Sequence, residues 1–191
     1  MSKAIVATRY AEVLAIAGFS FWLGAERQPE PAVALILAVA AFAVTEYKYL
    51  SNAESRREAD RANLRAFIGA FPPAVVDFLR EHDFGNHFLD AQTDPLDRFA
   101  YEWQRPDRRF LDGKLQDLLN ALLGEVEAFR RLVAAKTFPQ GPGRQGVEKE
   151  RRDGPNRDEY DEVVEGLNRH AGRIAELQEQ LVTQARTKLG I

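Results

Sequence analysis

One run dominates this sequence: residues 32–44, AVALILAVAAFAV, carry no polar side chain. With Thr45, Tyr47, Tyr49 and Leu50 the helix-compatible stretch reaches about 19 residues, close to the roughly 20 needed to cross a bilayer's hydrocarbon. Glu46 and Lys48 fall in its last turns, where a long side chain reaches the headgroups. Trp22, Tyr47, Lys48 and Tyr49 are the residues expected at the membrane interface. The charge distribution agrees. Of 26 Lys and Arg and 29 Asp and Glu, only Lys3, Arg9, Glu12, Glu26, Arg27, Glu30, Glu46 and Lys48 precede Ser51.

A second, less pure apolar stretch covers about residues 4–25, with Arg9 and Glu12 one turn apart on one helix face. A short polar turn holding Pro29 and Pro31 separates the two and makes them antiparallel neighbours. Residues 1–50 are therefore expected as a transmembrane helical hairpin with spans at about 4–25 and 32–50. Lys3 and Arg9 flank one end, and Lys48, Arg56, Arg57, Arg61 and Arg65 the other. By the positive-inside rule both termini are cytoplasmic, in a multi-pass protein of the cell inner membrane. The competing reading is a helix buried in a soluble core, which apolar runs of 10–14 residues also suit. A cleaved signal peptide fits less well, because Glu12 interrupts its apolar region.

Residues 51–70 continue as a charged juxtamembrane helical stalk, with Glu58–Arg61 and Arg57–Asp60 spaced for surface pairs. Residues 71–191 form the expected cytoplasmic helical domain. Pro72-Pro73 ends the stalk, and Asp94-Pro95 predicts a helix start with Asp94 as N-cap. Leu111, Leu115, Leu118, Leu119, Leu122, Val126, Phe129 and Val133 recur at three and four residues, and Trp103 is a core residue. A second stripe runs from Tyr160 through Val163, Leu167, Ala171, Ile174, Leu181 and Ala185 to Leu189. Two one-sided stripes predict two long antiparallel helices sharing a seam. Between them, residues 138–156 are rich in Gly and Pro and are expected as a long loop. The fold class is all-α: a transmembrane hairpin followed by a helical bundle.

No motif names a reaction. Cysteine is absent, which excludes disulfides and thiolate chemistry. A net charge of −3 argues against a nucleic-acid partner. His82, Asp83, His87 and Asp90 form the densest set of metal-ligating types, with Glu81 and Asn86 beside them. Their spacing matches no metal motif, and loop packing or helix capping accounts for them better. Arg144, Lys149, Arg151, Arg152 and Arg157 are the main basic cluster, of a kind that receives a phosphate-bearing ligand or lipid headgroups. Glu148, Glu150 and Asp153 dilute it. Gly141-Pro142-Gly143 lacks the Gly-Lys-Ser/Thr ending of a phosphate loop, so no cofactor is expected. His170 reads as a structural residue.

The stretch FLREHDFGNHF, then FAYEW, the leucine-rich helix and Thr137-Phe138-Pro139 resemble uncharacterised bacterial membrane proteins with an N-terminal hairpin and a helical tail. The resemblance implies a fold and supplies no activity. The layout is also similar to two-span effectors of bacterial defence, by analogy of architecture alone. The expected function is a membrane-anchored, non-enzymatic interaction or sensor module, extended in its boldest form to an oligomerising effector. Its expected partners are the lipid bilayer and a second copy or another protein bound through the long helices. The alternative is an enzyme or metal-binding protein using His82, Asp83, His87 and Asp90.

Overall fold

The computed structural model describes residues 29–148 and 157–190, with side chains from Leu37 onward. The chain divides into two units, Met1–Arg56 and Arg57–Ile191. Helix α1 (Pro29–Ala70) passes through both. In the first unit Thr45 and Ser55 donate their hydroxyls to the carbonyls of Ala41 and Ser51, each at 2.9 Å, so these polar groups are satisfied along the helix itself.

Among the described residues no helix is long and apolar enough to cross a membrane. This corrects the expected multi-pass placement in the inner membrane. Among the described side chains, which begin at Leu37, α1 is apolar through Val44, and Thr45, Glu46, Lys48, Ser51, Asn52 and Glu54 follow. A span needs about 20 apolar residues. The other expected span, 4–25, lies outside the described residues, and so does Trp22.

The second unit is built on aromatic packing. Leu64, Phe67 and Phe71 repeat at helical spacing along the end of α1 and its exit and are fully buried. Phe67 meets Phe99 and Trp103 edge-on at 5.7 and 5.3 Å, and Phe71 meets Phe99 at 5.1 Å. Edge-to-face pairs of this kind stabilise by about 0.5–1.5 kcal/mol beyond area burial. Pro72-Pro73 breaks the chain as expected: Pro73 opens α2 (Pro73–Glu81), which buries Val75, Val76 and Leu79. Glu58 and Arg61 pair at 3.2 Å, as their spacing predicts. Asp60 departs from its expected surface pair with Arg57. It is buried, and its two carboxylate oxygens accept the backbone N–H groups of Leu111 and Asp112 at 2.6 and 3.0 Å.

Helix α3 (Asp90–Glu102) starts five residues before Pro95, which therefore lies inside it. Gln92 reaches back to accept the N–H of Leu89 at 2.8 Å, so the cap forms there and not at Asp94. A single turn of 3-10 helix, Pro106–Arg108, leads to α4 (Gly113–Lys136). Asp112 caps α4 by accepting from Leu115 N–H at 3.1 Å, which leaves Leu111 outside the helix and exposed. The expected stripe otherwise holds, with Leu115, Leu119, Leu122, Val126 and Phe129 buried.

The 138–156 segment corrects the all-α expectation. It begins with a hairpin, β2 (Thr137–Gly141) and β3 (Arg144–Val147), and residues 149–156 lie outside the described residues. With β1 (Phe88–Leu89) the hairpin makes a three-stranded antiparallel sheet in the order β1-β3-β2. Gly141 and Gly143 have φ of +132° and +64°, values that L side chains rarely adopt. The glycines that suggested a loop are thus the reversal of a hairpin.

Helix α5 (Arg157–Leu189) closes the fold. It runs antiparallel to α4, as four contacts in opposite chain order establish: Lys136–Glu159, Leu132 against Gly166, Glu125–His170 and Asp112–Lys188. Gly166 lets the two helices come close, since a Cβ there would stand 3.0 Å from a Leu132 methyl. At the far end Arg61 donates twice to the Leu189 carbonyl at 3.1 Å, supplying positive charge to the helix C-terminus.

Candidate interaction surface

The residues expected to hold a metal occupy the connection between α2 and β1, and each has a separate task. His82 lies among phenylalanines: its ring stacks on Phe78 at 5.0 Å and meets Phe84 edge-on at 5.0 Å. Its Nε2 is buried without a partner. Burial holds the imidazole below its ordinary value, against a hydrogen bond with the Asn86 backbone and the nearby Asp83 charge, which raise it. Asp83 accepts the Gly85 N–H at 2.9 Å and the Asn168 amide at 3.2 Å. Those two bonds hold its carboxyl below the usual carboxylate range, against the effect of burial. His87 is exposed, with its backbone beside Gly146 of β3. Asp90 begins α3 and donates its N–H to the Gly143 carbonyl at 3.0 Å. The four side chains do not converge. No group of three or more His, Asp and Glu among the described residues is placed to hold a metal ion.

This loop is instead a clamp. Asn168 accepts the Phe84 N–H at 3.0 Å while donating to Asp83, and the Tyr160 hydroxyl donates to the Gly85 carbonyl at 3.0 Å. Both come from α5, 75 or more residues away, so no sequence window reveals them. The cluster that looked chemical is the loop's attachment to the last helix.

The basic cluster is only partly placed. Arg144 sits exposed on β3 opposite Leu89 and Gly141, and Arg157 pairs with Asp161 at 3.7 Å in the first turn of α5. Lys149, Arg151 and Arg152 lie outside the described residues. Two clefts had no sequence signal. One, of about 480 Å3, lies between α4 and α5 over Leu132, Val163 and Gly166. Its charges mix Arg131, Lys136 and Arg169 with Glu159 and Glu162, a pattern that selects no single ligand sign. The other, of about 300 Å3, centres on Arg130, whose guanidinium is held by Asp97 and Glu127. Those carboxylates keep Arg130 above its usual value, against the effect of burial, and use up its charge. His170, which also lines the α4–α5 cleft, has its Nδ1 2.7 Å from a Glu125 oxygen.

The interface residues on α1 lead to a different surface. Tyr47 and Lys48 are exposed and Tyr49 is half-buried. Around the helix, Ala38, Phe42, Glu46 and Tyr49 share one face, and all four are half-buried. The opposite side carries Leu37, Val39, Ala40, Ala43, Val44, Tyr47 and Leu50, and every one is exposed. Single exposed apolar residues are ordinary, but a contiguous apolar helix face usually marks a contact surface. No family model, no curated protein and no solved structure matches the chain.

Proposed function

We propose that this chain is a non-enzymatic interaction module that docks a protein partner through the exposed apolar face of α1. One observation carries the reading: five large apolar side chains, Leu37, Val39, Val44, Tyr47 and Leu50, lie uncovered on one side of a single helix. Leaving that much apolar surface in water is unfavourable by about 25 cal/mol per Å2, which drives association once a complementary surface is met.

The test is a photo-crosslinking amino acid at position 44 of the full chain, activated in producing cells, with position 179 on the exposed side of α5 as reference. Position 44 is expected to yield a discrete protein adduct and position 179 none. If position 44 yields no adduct, the module reading fails.

A further inference from the structure

We propose that the cleft between α4 and α5 binds an extended peptide unit of about three residues with free termini. Its carboxylate lies at Arg131 and Arg169, its ammonium group at Glu162, and its central side chain over Leu132 and Val163. The site belongs to the second unit alone and does not rest on the α1 reading.

The first support is the charge that the fold leaves over. In this cleft of about 480 Å3, Lys136 and Glu159 neutralise each other at 3.0 Å, and His170 is held by Glu125. Arg131, Glu162 and Arg169 line it too, are exposed, and form no ion pair or side-chain hydrogen bond among the described residues. Their own helices explain little of this. Glu127, one turn before Arg131, is taken by Arg130 at 2.9 Å. Glu165, one turn before Arg169, stands at the spacing that favours a surface pair, yet Arg169 lines the cleft instead. Glu162 has no cation three or four residues away in either direction.

The second support is their order. Along α5 come Glu162, Val163, Gly166 and Arg169, and a rise of about 1.5 Å per residue sets the two charged positions about 10 Å apart. Leu132 meets Gly166 and Glu125 meets His170, so Arg131 lies on the Arg169 side of the apolar middle. The cleft is thus positive at one end, apolar at the centre and negative at the other. Three residues of extended chain span the same distance at about 3.3 Å each. Guanidinium groups are the usual receivers of a carboxylate. A simple anion would leave Glu162 against it, and a simple cation would meet two arginines. A single amino acid carries its two charges too close together to reach both ends.

The test is calorimetric titration of the full chain with alanyl-leucyl-alanine, its N-acetyl form and its C-terminal amide. Saturable one-to-one binding is expected for the free tripeptide, with each blocked form about tenfold weaker. Glu162→Gln should weaken the free tripeptide by the same factor and leave the N-acetyl form no worse than with the wild-type chain. Arg169→Gln should behave in the same way towards the amide. Both substitutions change exposed side chains, and circular dichroism checks that helix content is kept. No binding at about 10 mM tripeptide, far above the roughly 1 mM range of weak ligands, overturns the proposal. So does equal affinity for all three peptides, or an acetylation penalty that persists in Glu162→Gln. Leucine alone binding as tightly as the tripeptide overturns the three-residue length.

Discussion

Asp60 shows how a surface position by pattern becomes an interior one by packing. Its two oxygens hold two consecutive N–H groups ahead of α4, so one side chain fixes where that helix begins. Asp60→Ala removes the acceptor of both N–H groups, and the expected loss is about 1–3 kcal/mol, read from the urea midpoint. Asp60→Asn keeps one acceptor oxygen and should lose roughly half as much. His82 gives the pH prediction. Burial among Phe78, Phe84 and Phe88 lowers its folded value, so the unfolded chain takes up the proton first. The contribution is therefore complete above about 6.5, the ordinary imidazole value, and is lost as the pH falls from there through the folded value. Between pH 7.5 and 5.5 the wild-type urea midpoint should drop further than that of His82→Phe, with Asp83 and the Asn86 backbone as the groups opposing the effect. An equal drop in both would remove His82 as the cause. His82 and Asp83 stood out in the sequence as polar candidates, but the long-range partners of Asp60 and Asp83 did not, because they lie 51 to 85 residues away.

The helices were readable because each buries one stripe at a period its own sequence displays. Leu115 to Phe129 and Tyr160 to Leu189 are buried where the three-and-four spacing placed them. Starts were harder. Asp94-Pro95 carried the stronger capping signal, yet Gln92 and the hairpin's Gly143 carbonyl set the start of α3 further back. The small sheet was hidden for another reason: β1 is two residues long, too short to show alternation, and exists only because β3 arrives beside it. The apolar face of α1 was visible as hydrophobicity but not as one-sidedness, since consecutive apolar residues have no period. The hairpin supplies the prediction at this scale. Gly143→Val forces a β-branched residue to φ near +64° and should cost about 1–2 kcal/mol. Because Gly143 also holds the Asp90 N–H, amide exchange at the start of α3 should accelerate in the same variant.

In the second unit, α5 touches almost everything. It meets α4 along its length, α2 through Arg80–Glu179 at 3.0 Å, the α2–β1 loop through Tyr160 and Asn168, and α1 through Leu189. A truncation within it is therefore felt globally. Leu181→Ala, at a fully buried site, should cost about 2–5 kcal/mol and raise amide exchange in α2 and α4 by a common factor. Unequal acceleration would mean that the unit opens in separate pieces. The same helix has a consequence for biosynthesis. A ribosome makes Arg61 long before Leu189, and the contact that joins them spans 128 residues. As the chain emerges, the apolar stripes of α2, α3 and α4 face water until their common cover has been made. Folding of this unit thus awaits the synthesis of α5, and until then the growing chain exposes hydrophobic surface of the kind that chaperones shield.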